Sequence, residues 1–226
     1  MKLPFPRNHN FSGREDILGE LRQCFFLNTS EKGSTRKVVI LHGMGGIGKT
    51  QIALEYAHRH QKHYTSIFWA DAKNQETLHH SGKRIIKTLI AHYATKYQSS
   101  PDYSHIATDL GMPGKIDGSG ELVQSATDLA WETVQNWLSK EGNAKWLLLV
   151  DNNDDLKSFD LGEYLPTCEQ GNIIITSRIR EACLRAGGTP IEVPQIGKDA
   201  GLQLLLKSAN KRVQDLSKAG KLSTFF

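Results

Sequence analysis

KVVILHGMGGIGKTQIALEYA, residues 37–57, is the stretch that decides the fold. It begins as an apolar, β-branched run, passes through four glycines to a lysine and a threonine, and then sets Ile52, Ala53, Tyr56 and Ala57 at helical spacing. A strand that turns through glycines into a helix can aim its backbone N–H groups at an anion. The glycines let the amides fold inward, and the first helical turn adds partial positive charge. Residues 43–50, G-M-G-G-I-G-K-T, match G-x-x-x-x-G-K-[ST] in full and in that context. Gly43, Gly45, Gly46, Ile47 and Gly48 are therefore expected to line bound phosphates. Lys49 is expected to reach the β- and γ-phosphates, and the Thr50 hydroxyl to bind Mg2+.

Working outward, TSIFWADA predicts a second strand near 66–71, which completes a β-α-β unit. Further strands are expected at 146–151 (WLLLVD), 172–176 (NIIIT) and 190–193 (PIEV), and helices at 15–26, 74–95, 122–138, 178–186 and 199–210. The tract at 99–121 is rich in proline, glycine and serine and has no sustained period. It is expected to be loop, and mobile, with a helical turn near Ile106. Five apolar strands separated by helices predict an α/β fold of the P-loop NTPase type. Its sheet is five-stranded and parallel, with helices on both faces.

A phosphate-bound Mg2+ needs a carboxylate across the site, at the end of a neighbouring strand. Asp151, after four apolar residues, is the candidate, as metal ligand and as part of any catalytic apparatus. Hydrolytic P-loop ATPases often carry an acid at the next position to orient or deprotonate water. Asn152 stands there, and an amide does not accept a proton near neutral pH. Turnover is expected to be slow or absent. Asp154 or Asp155 could substitute for that acid, but both are read first as starting the next segment. NIIITSR brings Arg178 to the same sheet edge, where a guanidinium fork can sense a γ-phosphate.

The remaining composition excludes more than it proposes. The net charge is +4, and the late lysines Lys207, Lys211, Lys218 and Lys221 lack interleaved aromatic residues, so they read as a solvated face rather than a nucleic-acid surface. Cys24, Cys168 and Cys183 have neither metal-ligand spacing nor an even count. They read as packing residues in a reducing, cytoplasmic setting. No apolar run is long enough to span a membrane. Of His58, His60 and His63, the first two are two residues apart and do not share a helical face, so they do not read as a metal site.

Taken in order, FSGRED (11–16), GMGGIGKT (43–50), IFWADA (67–72), WLLLVDNNDD (146–155) and NIIITSR (172–178) resemble the NB-ARC nucleotide-binding domain of the STAND signalling ATPases. The Phe-Trp strand and the Asp-Asn-x-Asp-Asp ending resemble fungal NOD-like receptors, and residues 190–206 resemble the link into that family's helical ARC subdomain. The resemblance implies a switch in signal transduction, of the kind used in innate immunity. Such a switch rests on ADP, exchanges it for ATP and forms oligomers with itself or with other NB-ARC proteins. It also implies that the sensor strand lies between the P-loop strand and the Asp151 strand, and that Gly13 and Arg14 lie at the base. Residues 1–36 are then a leader and helix contributing to the base pocket, 37–195 the nucleotide-binding domain, and 196–226 the start of an ARC-like subdomain. The Gly-x-Pro and winged-helix motifs expected beyond residue 210 are absent, so the chain reads as truncated. The alternatives are a P-loop ATPase with steady turnover, a small-molecule kinase, or an interaction domain with a vestigial loop. A kinase lid with several arginines and a guanine-reading N-K-x-D are both missing.

Overall fold

The computed structural model describes residues 3, 5–27, 36–95, 101–124, 129–157 and 159–208. Lys211, Lys218 and Lys221, the end of the last expected helix and residues 125–128 of the helix expected at 122–138 lie outside them. Five strands form one parallel sheet: β1 (Lys37–His42), β2 (Ser66–Asp71), β3 (Trp146–Asp151), β4 (Asn172–Ser177) and β5 (Thr189–Glu192). Their order is β2-β3-β4-β1-β5, with β4 between the strand that feeds the glycine loop and the strand that ends in Asp151. The register sets Asp71 beside Asp151 and His42 beside Ser177, so the carboxyl ends finish level along one edge. That edge is where ligands of open α/β sheets bind.

Side-chain alternation divides the core into two layers. Val39, Leu41, Leu147, Leu149 and Ile174 pack against α1 (Glu15–Arg22) and α2 (Lys49–His60). Val38, Ile40, Leu148, Val150 and Ile175 pack against α3 (Gln75–Ala94), α4 (Tyr103–Asp109), α5 (Ala130–Ser139) and α6 (Ala182–Ala186). The α1 helix runs on into a single π turn, Gln23–Leu27, and α7 (Lys198–Ser208) follows the last strand. Asn74 starts α3 with a reciprocal cap. Its side chain accepts from Thr77 N at 2.9 Å, and its own N–H donates to Thr77 Oγ1 at 3.1 Å.

The structure corrects the expected elements in three places. Within the tract at 99–121, the described residues 101–121 are packed: the helical turn expected near Ile106 is α4, and Ile106, Ala107, Leu110 and Met112 are at most 3% exposed and join the core under α3. Asp102 caps α4, the Asp117 carboxylate closes a turn through Ser119 and Glu121, and Glu121 pairs with Lys87 of α3 at 2.6 Å. Its apolar residues are separated by glycine turns, so no period reveals them. The helix expected from 122 begins at Ala130 instead, because Leu122 forms an antiparallel bridge with Ile116. The helix expected from 178 begins at Ala182, and ahead of it the chain closes two tighter turns, with Ala182 N donating to Ile179 O at 3.4 Å and Cys183 N to Arg180 O at 3.1 Å.

Candidate functional site

Beyond β1 the chain turns through Gly43, Gly46 and Gly48, with φ of +146°, +75° and +98°, values open to glycine and strained for other residues. At Gly43 space as well as φ demands glycine: a Cβ would lie 2.7 Å from the Val193 carbonyl oxygen. Val193 in turn donates its N–H to His42 O at 2.7 Å, which ties the end of the last strand to the loop. The α2 helix starts at Lys49. Its ammonium donates to the carbonyls of Gly43 and Met44, both at 2.8 Å, and so arches over the loop. Burial pushes the Lys49 ammonium below its usual pKa and Arg178 pushes the same way, while Asp154 and Asp151 oppose the shift.

Across the loop the Thr50 hydroxyl donates to Asp151 Oδ1 at 2.8 Å, and the Thr176 hydroxyl donates to the same oxygen. Asp151 is 6% exposed. Burial pushes its carboxyl up, against the two hydroxyls, and the nearby Asp71 and Asp154 add to the rise. A hydroxyl and a carboxylate converging in this way are hard oxygen donors of the kind Mg2+ takes. That ion keeps most of its waters and needs few protein ligands. Among the described residues no group of three or more His, Cys, Asp or Glu side chains is placed to hold a metal ion by itself.

Asn152 adopts φ +67°, with its N–H on Thr176 Oγ1 at 3.1 Å and its side-chain amide donating to Asp71 Oδ1 at 3.3 Å. It lines a cavity of about 820 Å³ together with the glycine loop, Lys49, Thr50, Asp154 and Arg178. The expectation for Asp154 needs amending: it lines this cavity and holds Arg178, rather than simply opening the next segment.

A second cavity, about 510 Å³, lies on the other side of the loop and shares residues 45–48 and Gln51 with the first. Its apolar walls are Phe11, Met44, Ile47, Ile52, Ile196 and Leu204, and Arg14 borders it. Arg14 donates to Pro194 O at 2.7 Å and Ile47 O at 3.2 Å, and so clamps the loop to the exit of β5. Gly13 is not among the lining residues. It makes the turn into α1 at φ +74° and faces Ala200 of α7.

The segment that walls this cavity is strapped to α2. Arg7 forms a two-pronged pair with the buried Glu55, at 2.6 and 3.1 Å, Asn8 bonds Gln51 at 3.1 Å, and Arg59 joins Glu55 to Glu15. Burial pushes the Glu55 carboxyl up, but the two arginines outweigh it and hold the group below the usual range. A carboxylate held low contributes stability above its unfolded pKa and loses it as pH falls through the folded one. Arg7→Ala is therefore expected to lower the melting temperature at pH 7, with the difference from wild type starting to shrink near the ordinary glutamate pKa and vanishing only below the depressed folded one. It is also expected to weaken nucleotide binding several-fold, readable by titration. An unchanged melting temperature at pH 7 would remove the strap.

The NB-ARC domain family matches residues 25–215, most of the 226-residue chain. This chain belongs to the NB-ARC family. Among curated proteins, the domain is 29% identical over 220 residues to a nucleotide-binding leucine-rich repeat (NLR)-like protein of Hyaloscypha variabilis, covering 90% of this chain and 19% of that one. It is 24% identical to the regulatory protein AfsR of Streptomyces griseus, covering 88% and 17%. The NB-ARC domain thus spans about a fifth of each relative's length. Among solved structures, a STAND protein with a tetratricopeptide repeat sensor from Pyrococcus horikoshii shares the fold at TM-score 0.51 and 17% identity, over 96% of this chain and 28% of that one. The ORC2 protein of Aeropyrum pernix, solved as ADPNP–ADP complexes, shares it at 0.52 and 12%, over 92% and 54%. The chain is a nucleotide-binding module of NB-ARC/STAND type with a P-loop NTPase fold.

The structure adds residues to this NB-ARC site that the sequence reading did not single out. Lys73 and Asn74, at the entry to α3, line the first cavity, and Gln195, Ile196 and Leu204 line the apolar one. The Asn-x-x-Thr cap was a legible signal for Asn74. Nothing local marks Leu204, which reaches the site only because α7 folds back over the loop. No described helix is long and apolar enough to cross a membrane.

Proposed function

We infer that this domain holds an adenine nucleotide, ADP or ATP with Mg2+, as the state marker of a cytoplasmic signalling switch, with slow or no hydrolysis. The observation that carries this is the pair of cavities astride one glycine loop, one lined by Lys49, Thr50, Asn152 and Arg178 and an apolar one walled by Phe11, Ile47 and Leu204. Phosphates suit the first and a flat base the second. In this assignment the N–H groups of residues 43–48 and the Lys49 ammonium hold the β-phosphate. Thr50 and Asp151 would hold Mg2+, whose charge offsets that of the phosphates. Arg178 reads the γ-phosphate, and Arg14 positions the loop beside the base. Asn152 can orient water but not take its proton, so conversion of ATP is slow. Residues 1–36, 37–195 and 196–226 act as base-side wall, nucleotide-binding domain and the beginning of an ARC-like subdomain. The NLR-like and STAND relatives support a signalling role, with homo-oligomers or other NB-ARC chains as partners.

Protein purified without added nucleotide, then denatured, is expected to release near-stoichiometric ADP on chromatography, and ATP turnover is expected to fall below about 1 s⁻¹, at the bottom of the ordinary enzyme range. Steady multiple turnover above that rate would replace the switch with a working ATPase.

A further inference from the structure

Arg178 is engaged over the glycine loop. Its Nε donates to Asp154 Oδ2 at 2.6 Å, and its backbone N–H donates to the other oxygen of the same carboxylate, also at 2.6 Å. The Asp154 carboxylate is thus gripped by both the backbone and the side chain of one residue. The strand order explains the meeting: Asp154 follows β3, Arg178 follows β4, and the two strands are neighbours. Both side chains line the polar cavity with Lys49 and Thr50, on the side of the loop away from the apolar cavity. The Arg178 Cδ lies 3.6 Å from where a Cβ on Gly45 would sit, so its stem rests against the loop. Both charges reach Lys49, with opposite effects on its ammonium.

We propose that Asp154 discriminates between nucleotide states: by holding Arg178 and placing a carboxylate at the end of the cavity far from the base, it favours a nucleoside diphosphate over a triphosphate. The inference rests on the nucleotide-binding function proposed above and deepens it. A β-phosphate is served by the loop amides and Lys49, none of which Asp154 engages by hydrogen bond. A third phosphate adds negative charge on the side where Asp154 stands. The Nε edge of Arg178 can face a carboxylate or a phosphate, but not both at once in the same geometry. The pair is a bias and not a block. With side-chain exposures of 62% for Arg178 and 23% for Asp154 its strength is modest, and an Mg2+-bound triphosphate can outcompete it.

The test is a calorimetric titration of wild type and Asp154→Asn with ADP and with a non-hydrolysable ATP analogue, both with Mg2+. The expected result is a shift of about tenfold in the ratio of the two dissociation constants toward the triphosphate, with ADP affinity held within about threefold. Adding Arg178→Ala to Asp154→Asn should cancel most of the gain. A ratio unchanged by Asp154→Asn, or a gain that survives the loss of Arg178, overturns the inference while leaving nucleotide binding intact. A wild type that binds neither nucleotide overturns both. Should Asp154→Asn not fold, Arg178→Gln serves in its place. It leaves Asp154 unpaired beside the third phosphate and is expected to weaken the triphosphate alone, and equal weakening of both nucleotides, or none, overturns the proposal.

Discussion

Lys49→Ala is expected to emerge from purification without nucleotide and to bind ADP at least about a hundredfold more weakly than wild type, the loss of one or two charge-assisted hydrogen bonds to a phosphate. The lysine is 9% exposed, and its ammonium sits 2.8 Å from two carbonyls of the loop that would wrap the β-phosphate. Alanine removes the charge without disturbing the three positive-φ glycines that shape the loop. The variant should therefore fold: it gives up two hydrogen bonds to backbone carbonyls but no longer buries a cation. Thermal melting separates the two effects. Ligand at a hundred times its dissociation constant stabilises wild type by about 2.7 kcal/mol, and the same ADP concentration should leave Lys49→Ala unmoved. A variant that still co-purifies with ADP, or that binds within about threefold of wild type, would take the phosphate role away from this lysine.

Most of the fold was legible because its strands are continuous apolar runs bounded by turn residues. The apolar run that opens at residue 37 is β1, and the expected ranges at 66–71 and 146–151 coincide with β2 and β3. The sheet order was not readable from those runs. Placing β4 in the middle came from the family resemblance, and the structure agrees. Failures came where stability is non-local. Met112 and Ile116 are buried by the sheet-side helices and not by any periodic face of their own, so a glycine-rich tract that looks like loop is core. At the site, the residues on the glycine loop and at the strand ends were visible because motif and topology both speak for them. The apolar cavity was not, because its walls come from three segments far apart in the chain: Phe11, Ile47 and Leu204. Asp154 was visible as a residue but not as a partner. Only the adjacency of β3 and β4 brings it to Arg178.

Asp151→Asn is expected to do two opposite things: to stabilise the protein without ligand and to remove the Mg2+ dependence of triphosphate binding. Asp151 is 6% exposed, and burial raises its carboxyl above the ordinary aspartate range. A carboxyl raised on folding contributes stability below its unfolded pKa and loses it as pH rises through the folded value, so at pH 7 the ionised group is a cost to the fold. Asparagine is nearly isosteric and keeps an oxygen to accept from Thr50 and Thr176, the two hydroxyls that Asp151 Oδ1 serves. Relieving the buried charge should raise ligand-free stability at pH 7 by on the order of 1 kcal/mol, with the advantage shrinking as the solution is made acidic and wild type protonates. The same exchange leaves an amide where a divalent cation needs a charged oxygen, so Mg2+ should no longer tighten triphosphate binding, while Mg2+-free ADP binding through Lys49 and the loop amides should survive. Denaturant unfolding across pH, paired with titrations with and without Mg2+, reads both halves. A less stable variant that still responds to Mg2+ would make Asp151 an ordinary strand-end residue. Stabilisation with loss of the Mg2+ response would show that the fold bears a buried charge for the sake of the ligand.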